Sequence, residues 1–558
     1  MTPAYQAGFA RYSGNYRVSA RFYSLLLWSL LVFPLTDAKA TSADNNEAVC
    51  QKINAISIVA NDVFEDASPN LLEATANFLH FTTHEYTIRR ELLFKEQECL
   101  DIALIEESAR NLRALPIFSD VEITTAMTSG GDVDVVVTTK DRFTLRAEVS
   151  ASQKSGSTKQ RLSLGEKNLF GLNKEFHYSY TNQEDQSKSR YVYKDNRFFH
   201  DWVLYGAYTS ARGGAQQNYA ISDPFRSLGD DASYGIAFET NDQDFVYKID
   251  AGEEIEVPQF SESEQLFYTR EFGDRDVSKR LGGSFQMSQQ SYFSDNLSDN
   301  IDIPTRLEKM DIDITGALQF RDDFVVLQGL DSLIYREDIA LGSSWTLGLG
   351  AQWRQDEEGI RYHQKYRLGY ARTKYNYKDV LSSALIEHEG RYYAGHLMES
   401  RYKAFYHCYY MPEPGYVWLG GVTYQYRYGR DILNEPLSMG GEVGFRGYKT
   451  GTFTGNKSLL LNLEYRDRIS TNWEKIAVGQ AFFADAGYAW KQGEDMRLND
   501  LKFNVGWGLR FDIPSLFGKD ILRFDLAVAT NTGEVLSTLT LGQVFRYNEI
   551  NENTQKEF

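Results

Sequence analysis

The stretch KFNVGWGLRFD, Lys502–Asp512, sets Phe503, Val505, Trp507, Leu509 and Phe511 against Lys502, Asn504, Gly506, Gly508, Arg510 and Asp512. Successive side chains of a strand point to opposite faces, so a period of two gives this segment one apolar and one polar face. Upstream, KSLLLNLEYRD (Lys457–Asp467) points Leu459, Leu461, Leu463 and Tyr465 one way and Asn462, Glu464 and Arg466 the other. LRFDLAV and LTLGQVFRY alternate in the same manner. From about Arg142 to Tyr547 the chain repeats this pattern in short segments separated by turns rich in Gly, Asp, Asn and Ser, with hardly a helical stretch.

A water-soluble sandwich alternates too, with its apolar face inward, so periodicity alone does not choose between a sandwich and a transmembrane barrel. Three further features favour the barrel. The strands are about 10 residues long with many aromatic residues near their ends. The region, residues 142–547, is too long for one sandwich. The third is an export signal: Arg11, Arg17 and Arg21, then FYSLLLWSLLVF (Phe22–Phe33), then Ala38-Lys39-Ala40 have the order of a signal peptide over residues 1–40. A membrane anchor is the alternative, but 12 apolar residues span about 18 Å of a core about 30 Å thick. Cleavage leaves a leader of residues 41–50 and a mature chain of 518 residues with net charge −21, since four basic groups and one acid leave the −18 chain of 558.

Composition excludes several functions. The pI near 5.1 removes the attraction to phosphate backbones, so nucleic acid is not an expected partner. A mean hydropathy of −0.45, and no apolar run beyond residue 40 near the 20 residues of a spanning helix, exclude a helical membrane protein. A barrel tolerates low hydropathy because only the lipid-facing half of each strand is apolar. There is no CxxC or HExxH, and the eight histidines are scattered, so no metal or cofactor is expected. No GxSxG stands with His and Asp partners, so no catalytic residue is expected and a barrel hydrolase ranks last among the functions considered. Three cysteines permit one bridge in an oxidising compartment. Cys50 and Cys99 either form it or stay unpaired, with Cys99 as a small packing residue; Cys408, flanked by Tyr406 and Tyr410 on its own face, is expected to be free.

Residues 51–141 read as a small α+β domain in the order β, α, α, β, β. KINAISIVANDVF is strand-like, and IRRELLFKEQ (Ile88–Gln97) and IALIEESARNLRAL (Ile102–Leu115) have helical spacing. Asp101 can cap the second helix and Pro116 stops it. SDVEITTAM and GDVDVVVTTKD are strands joined by Ser129-Gly130-Gly131.

The motifs carry a resemblance. ARNLRALPIFSDVEI (Ala109–Ile123) and VDVVVTTKDRFTL (Val133–Leu145) are similar to the second half of a POTRA module and the passage into the barrel that follows it. GGEVGFRGY (Gly440–Tyr448) resembles the signature loop of the BamA/TamA superfamily of outer-membrane assembly and translocation barrels, the bacterial surface antigen family. FFADAG (Phe482–Gly487) resembles its barrel-wall motif, Phe-x-Asp-x-Gly. Thr540, Gly542, Phe545 and Tyr547 have the form of the C-terminal sorting signal read by the assembly machinery, and residues 548–558 form a polar periplasmic tail. The resemblance covers nearly the whole mature chain.

It implies a 16-stranded outer-membrane barrel with a periplasmic N-terminal domain and no enzymatic activity. The barrel would insert outer-membrane proteins or move a polypeptide, or a lipid, across the membrane. Outer-membrane lipid and an unfolded or extended client polypeptide are then its partners, the client captured by the POTRA-like domain, and an accessory periplasmic or inner-membrane protein is a further one. About 400 residues over 16 strands leaves about 25 per strand and connection. Better-known members carry two, three or five such modules and this chain has room for one, which puts a role as principal assembly factor in doubt. A plug or spacer is the alternative for the small domain, and a passive or gated pore the alternative for the whole.

The residues supply a physical basis for the paired motifs. With the C-terminus periplasmic, the loop 428–456 starts outside, and its six glycines from Gly440 to Gly455 allow compact turns. In AVGQAFFADAGYAW, Phe483, Asp485 and Gly487 share the lumen face. A carboxylate there needs a partner, and an Arg on a loop folded inward supplies a planar, bidentate one. The expected latch joins Arg446, within Gly440, Gly441, Phe445, Arg446, Gly447 and Tyr448, to Asp485. The alternative leaves Arg446 in a solvated surface loop.

Overall fold

A computed structural model describes residues 50–64, 71–154, 157–183, 186–211, 214–242, 245–248, 254–257, 259–292, 306–376, 378–429, 437–441, 444–469, 476–513 and 520–542. Residues 1–40, read above as a signal peptide, residues 41–49, Phe545, Tyr547 and residues 548–558 lie outside the described residues.

The small domain runs β1 (Ile53–Asn61), α1 (Leu71–Leu79), α2 (Glu85–Arg89), α3 (Ile102–Ala114), β2 (Phe118–Met127) and β3 (Val133–Asp141). Its sheet order is β1-β3-β2, with β1 parallel and β2 antiparallel to β3. Along β3, Val133, Val135 and Val137 alternate into a core shared with Ile53, Ile88 and Leu112. Fully burying one such side chain contributes about 1.5–3 kcal/mol. Asp101 caps α3 by accepting from the Ala103 N–H at 2.9 Å, and the helix ends two residues before Pro116.

Two expectations are corrected. The order is β, α, α, α, β, β, because α1 forms where no helix was expected. The helix expected over 88–97 does not form beyond its first two residues: α2 stops at Arg89, and Leu93 N–H turns to the Ser108 hydroxyl (2.9 Å) while Phe94 enters the core. Helical spacing there encoded burial, not helix; the chain must reverse to bring Cys99 beside Lys52. Cys50 and Cys99 are disulfide-bonded, and Cys408 is free. Mass spectrometry of non-reduced peptides is expected to recover Cys50 linked to Cys99; recovery of both as free thiols would refute it.

Among the described residues, most of the rest is one large antiparallel sheet of twenty strands, the form of a β-barrel. The first seven are β4 (Arg146–Lys154), β5 (Ser157–Glu166), β6 (Lys174–Gln183), β7 (Gln186–Asp195), β8 (Val203–Ala211), β9 (Gly214–Asp223) and β10 (Ala232–Asn241). Then come β11 (Gln259–Gly273), β12 (Val277–Tyr292), β13 (Arg306–Leu327), β14 (Glu337–Asp356), β15 (Gly359–Asn376), β16 (Val380–Tyr393) and β17 (His396–Glu413). β18 (Tyr416–Gly429), β19 (Lys457–Ile469), β20 (Ala477–Trp490), β21 (Lys502–Asp512), β22 (Leu522–Ala529) and β23 (Val535–Leu541) complete it. Strand neighbours follow chain order, and β23 lies beside β4. The sheet of the described residues thus holds twenty strands where the resemblance implied sixteen. Residues 146–241 hold seven short strands, about 14 residues per strand and connection where 25 were allowed. The alternation in β21 is the one read from sequence: Phe503 and Val505 are exposed, while Asn504, Arg510 and Asp512 are buried inside.

The small domain docks on one end of the barrel through turns between strands. Arg113 makes two bonds of 2.6 Å with Asp338, and Arg197 clasps Glu91 at 2.9 and 2.7 Å. Arg336 reaches Asp120 at 2.5 Å, and Leu228 N–H donates to Glu107 at 2.6 Å. The Tyr335 hydroxyl donates to the Arg113 carbonyl at 2.9 Å, and burial pushes its pKa up to about 12, so it keeps its proton. Such planar Arg–carboxylate pairs fix orientation as well as distance.

Candidate functional site

The segment between β18 and β19 folds inward. A short hairpin, Leu437–Met439 with Phe453–Gly455, carries a loop whose Gly440 and Gly441 have φ of 125° and 64°, values that favour glycine. Gly441 N–H donates to the Tyr448 carbonyl at 2.6 Å. Phe445 and Tyr448 pack with Met439, Leu460 and Ala489, and the Tyr448 hydroxyl donates to the Phe503 carbonyl at 3.1 Å. Glu442 and Val443 lie outside the described residues.

These contacts deliver Arg446 to the inner face of β20. Its Nε and Nη2 donate to Asp485 at 3.0 and 2.7 Å, a bidentate pair, and its guanidinium lies 3.5 Å from the centroid of Phe483. Asp485 is 1% exposed and also accepts from Asn462 at 2.7 Å. Asn504, its amide oriented to satisfy both groups, donates to Asp485 at 2.9 Å and accepts from Gly447 N–H at 3.3 Å. A Cβ on Gly447 would overlap Asn504, and one on Gly487 would sit 2.8 Å from Met439 Cε. Each position of Phe-x-Asp-x-Gly therefore has a physical task. Phe483 stacks under the cation, Asp485 neutralises it, and Gly487 leaves room for the loop.

Sequence reasoning missed the second carboxylate. Arg446 Nη1 also donates to Glu464 on β19, which accepts from Arg466 Nε at 2.6 Å and has Arg510 Nη2 3.9 Å away. Arg510 pairs with Asp525 at 2.6 Å, and Arg523 approaches the same carboxylate at 3.0 Å. The signal was present: Asn462, Glu464 and Arg466 on β19, Asn504 and Arg510 on β21, and Arg523 and Asp525 on β22 all fall on polar faces. A charge inside a barrel requires a counter-charge, and alternation names which residues compete for that place.

Nor did the sequence show a second inward segment. Residues 328–336, between β13 and β14 at the end holding the small domain, cross to strands four to seven places farther round the sheet. Asp512 on β21 accepts from the Ser332 hydroxyl (2.9 Å), Leu333 N–H (2.6 Å) and Ile334 N–H (3.0 Å). Leu330 packs with Val417 and Leu419, and its carbonyl accepts from Arg466 Nη1. Arg466 thus joins this strap to the Glu464 that also holds Arg446. Apart from the strap, a cavity of about 780 Å³ on the inner face of β11–β17 is lined by Lys309, Lys365, Arg391, Asp313, Glu389 and Glu399 among others.

The remaining sequence candidates are placed as follows. Thr540 lies in β23, and Gly542 N–H donates to the Ile521 carbonyl at 2.7 Å. They are not brought to the lumen cluster. No group of His, Cys, Asp and Glu suited to a metal occurs among the described residues.

No protein-family model matches the chain, and no curated protein matches it. Among solved structures it is similar to CdiB from Escherichia coli, with 15% identity over 94% of this chain and 96% of that one and a TM-score of 0.40. BamA from Haemophilus ducreyi lacking POTRA domains 1-3 is 14% identical over 88% and 83%, with a TM-score of 0.36. The FrpB iron transporter from Neisseria meningitidis is 8% identical over 78% and 85%, with a TM-score of 0.39.

Proposed function

We propose that this chain is a closed outer-membrane barrel of the BamA/TamA type that inserts proteins into, or passes an extended polypeptide across, the membrane. In this reading residues 1–40 direct export, the sorting signal ends in Phe545 and Tyr547, and the small domain is a periplasmic POTRA-like module. The observation that carries it is the pair of inward segments. A lumen occupied from one end by the Arg446 loop and from the other by the 328–336 strap, both tied to Glu464 through Arg446 and Arg466, suits a conduit that opens only when engaged. The polar cavity favours a gated pore as the second reading.

β2 is an edge strand of the small sheet, largely exposed from Glu122 to Met127. An extended client can add to such an edge through main-chain hydrogen bonds that tolerate sequence variation. A photo-crosslinker at Thr124, in cells, is expected to capture polypeptides in extended form, and Thr124→Pro to abolish capture while the barrel still assembles. A conducting channel with no captured polypeptide would leave the gated pore in its place.

A further inference from the structure

α1, LLEATANFL, carries one charged residue, Glu73, and no basic one. A helix of this composition normally turns its apolar side into a core. Here none of its residues with described side chains joins the core of the small domain, Leu71 is 83% exposed and Phe78 85%, and Phe81 just beyond is exposed as well. The apolar surface does not end there. The Phe81 carbonyl accepts from Asn168 at 3.0 Å, and its ring meets that of Phe170 edge-on at 5.3 Å. Phe170, exposed in the turn between β5 and β6, has φ 57°, a left-handed conformation that a bulky residue adopts only under constraint.

That turn continues the outward face of the barrel. Glu166, at the end of β5, shares a face with Leu162 and Leu164 and stands opposite Phe176. It is buried because the Thr144 hydroxyl and Asn168 N–H close over it, the latter at 2.6 Å. The Phe81–Phe170 contact therefore sits at the rim of the face that bears exposed Leu164 and Phe176.

We infer that α1 and the Phe81–Phe170 pair seat in the periplasmic leaflet, with phospholipid at the headgroup–acyl boundary covering Leu71 and Phe78. The inference rests on the barrel's spanning a membrane. Aromatic rings gather at that depth, and a helix lying in the interface buries its apolar side about 5–10 Å into it. With no cation on α1, the contact draws on apolar area and not on lipid charge. It orients the small domain against the bilayer beside its docking site on the barrel.

The test uses the full-length protein with Cys408→Ser, reconstituted in phosphatidylcholine vesicles, and an environment-sensitive fluorophore on Leu71→Cys, Phe78→Cys, Leu164→Cys or Met127→Cys, one at a time. Lipids brominated near the top of the acyl chain are expected to quench the probe at 71, 78 and 164 by at least about twofold, as that interfacial depth requires, and to leave the exposed 127 unquenched. Quenching at 164 without quenching at 71 and 78 overturns the inference and leaves the barrel standing. A shielded but unquenched probe at 78 overturns it too, showing a protein cover, either residues 41–49 or a second copy. No quenching at 164 overturns the membrane-spanning barrel and the inference together.

Discussion

Arg446→Ala is expected to leave the barrel assembled while residues 437–456 lose their protection from trypsin, with new cleavage at Lys449. Removing the guanidinium strands two carboxylates at once, Asp485 and Glu464, each 1% exposed. Breaking a buried ion pair by deleting one partner costs about 3–5 kcal/mol. Both carboxylates keep some partners, Asn462 and Asn504 for Asp485 and Arg466 for Glu464, so the cost falls on the loop and not on the wall. The wall is held by its own strand ladders. Asp485→Ala is expected to be milder, because Arg446 retains Glu464; the loss is about the 1.5–3 kcal/mol of a hydrogen bond to a charged group. Arg446→Lys should resemble the alanine variant more than the wild type, since an ammonium cannot reproduce the bidentate fork. The double change Arg446→Ala with Asp485→Ala should be little worse than Arg446→Ala alone, because both remove one contact. Fully additive losses, or an equally protected loop in Arg446→Ala, would show that the pairing does not hold the loop.

Asp512→Ala is expected to release the strap at the opposite end. One carboxylate there accepts from a hydroxyl and two backbone N–H groups, and two of those donors belong to consecutive residues that turn away from any ladder. Each hydrogen bond to a charged group is worth about 1.5–3 kcal/mol, and the three are not additive, so release of about 3–5 kcal/mol of local stability is the expected scale. Trypsin should then cut at Arg336, and ion conductance through reconstituted protein should rise. Asp512→Asn keeps one acceptor oxygen and should fall between. The Arg446 loop should stay protected, because Arg446 keeps both carboxylates; simultaneous exposure of both segments would instead show that they move as one body through Arg466. Unchanged conductance in Asp512→Ala together with unchanged protection at Arg336 would remove the strap from any gating role.

Alternation in β19 to β22 was enough to name the faces of those strands, because a side chain's direction in a strand depends on position parity and on nothing distant. The αL glycines of the inward loop and the lone Asp on the inner face of β20 were legible for the same local reason. So was the cap at Asp101, which needs only two residues. The strand number was not, since turn length varies along the barrel and nothing in β4 to β10 marks how many strands share the sheet. Residues 88–97 had helical spacing but a different fate, because the need to return to β1 outweighed a weak preference. The competition of Glu464 with Asp485 for Arg446, and the reach of residues 328–336 to Asp512 and Arg466, were settled only by tertiary structure. Those partners lie 18 to about 180 residues apart in the chain, and burial of charge says that a partner must exist without saying which one geometry brings within 3 Å.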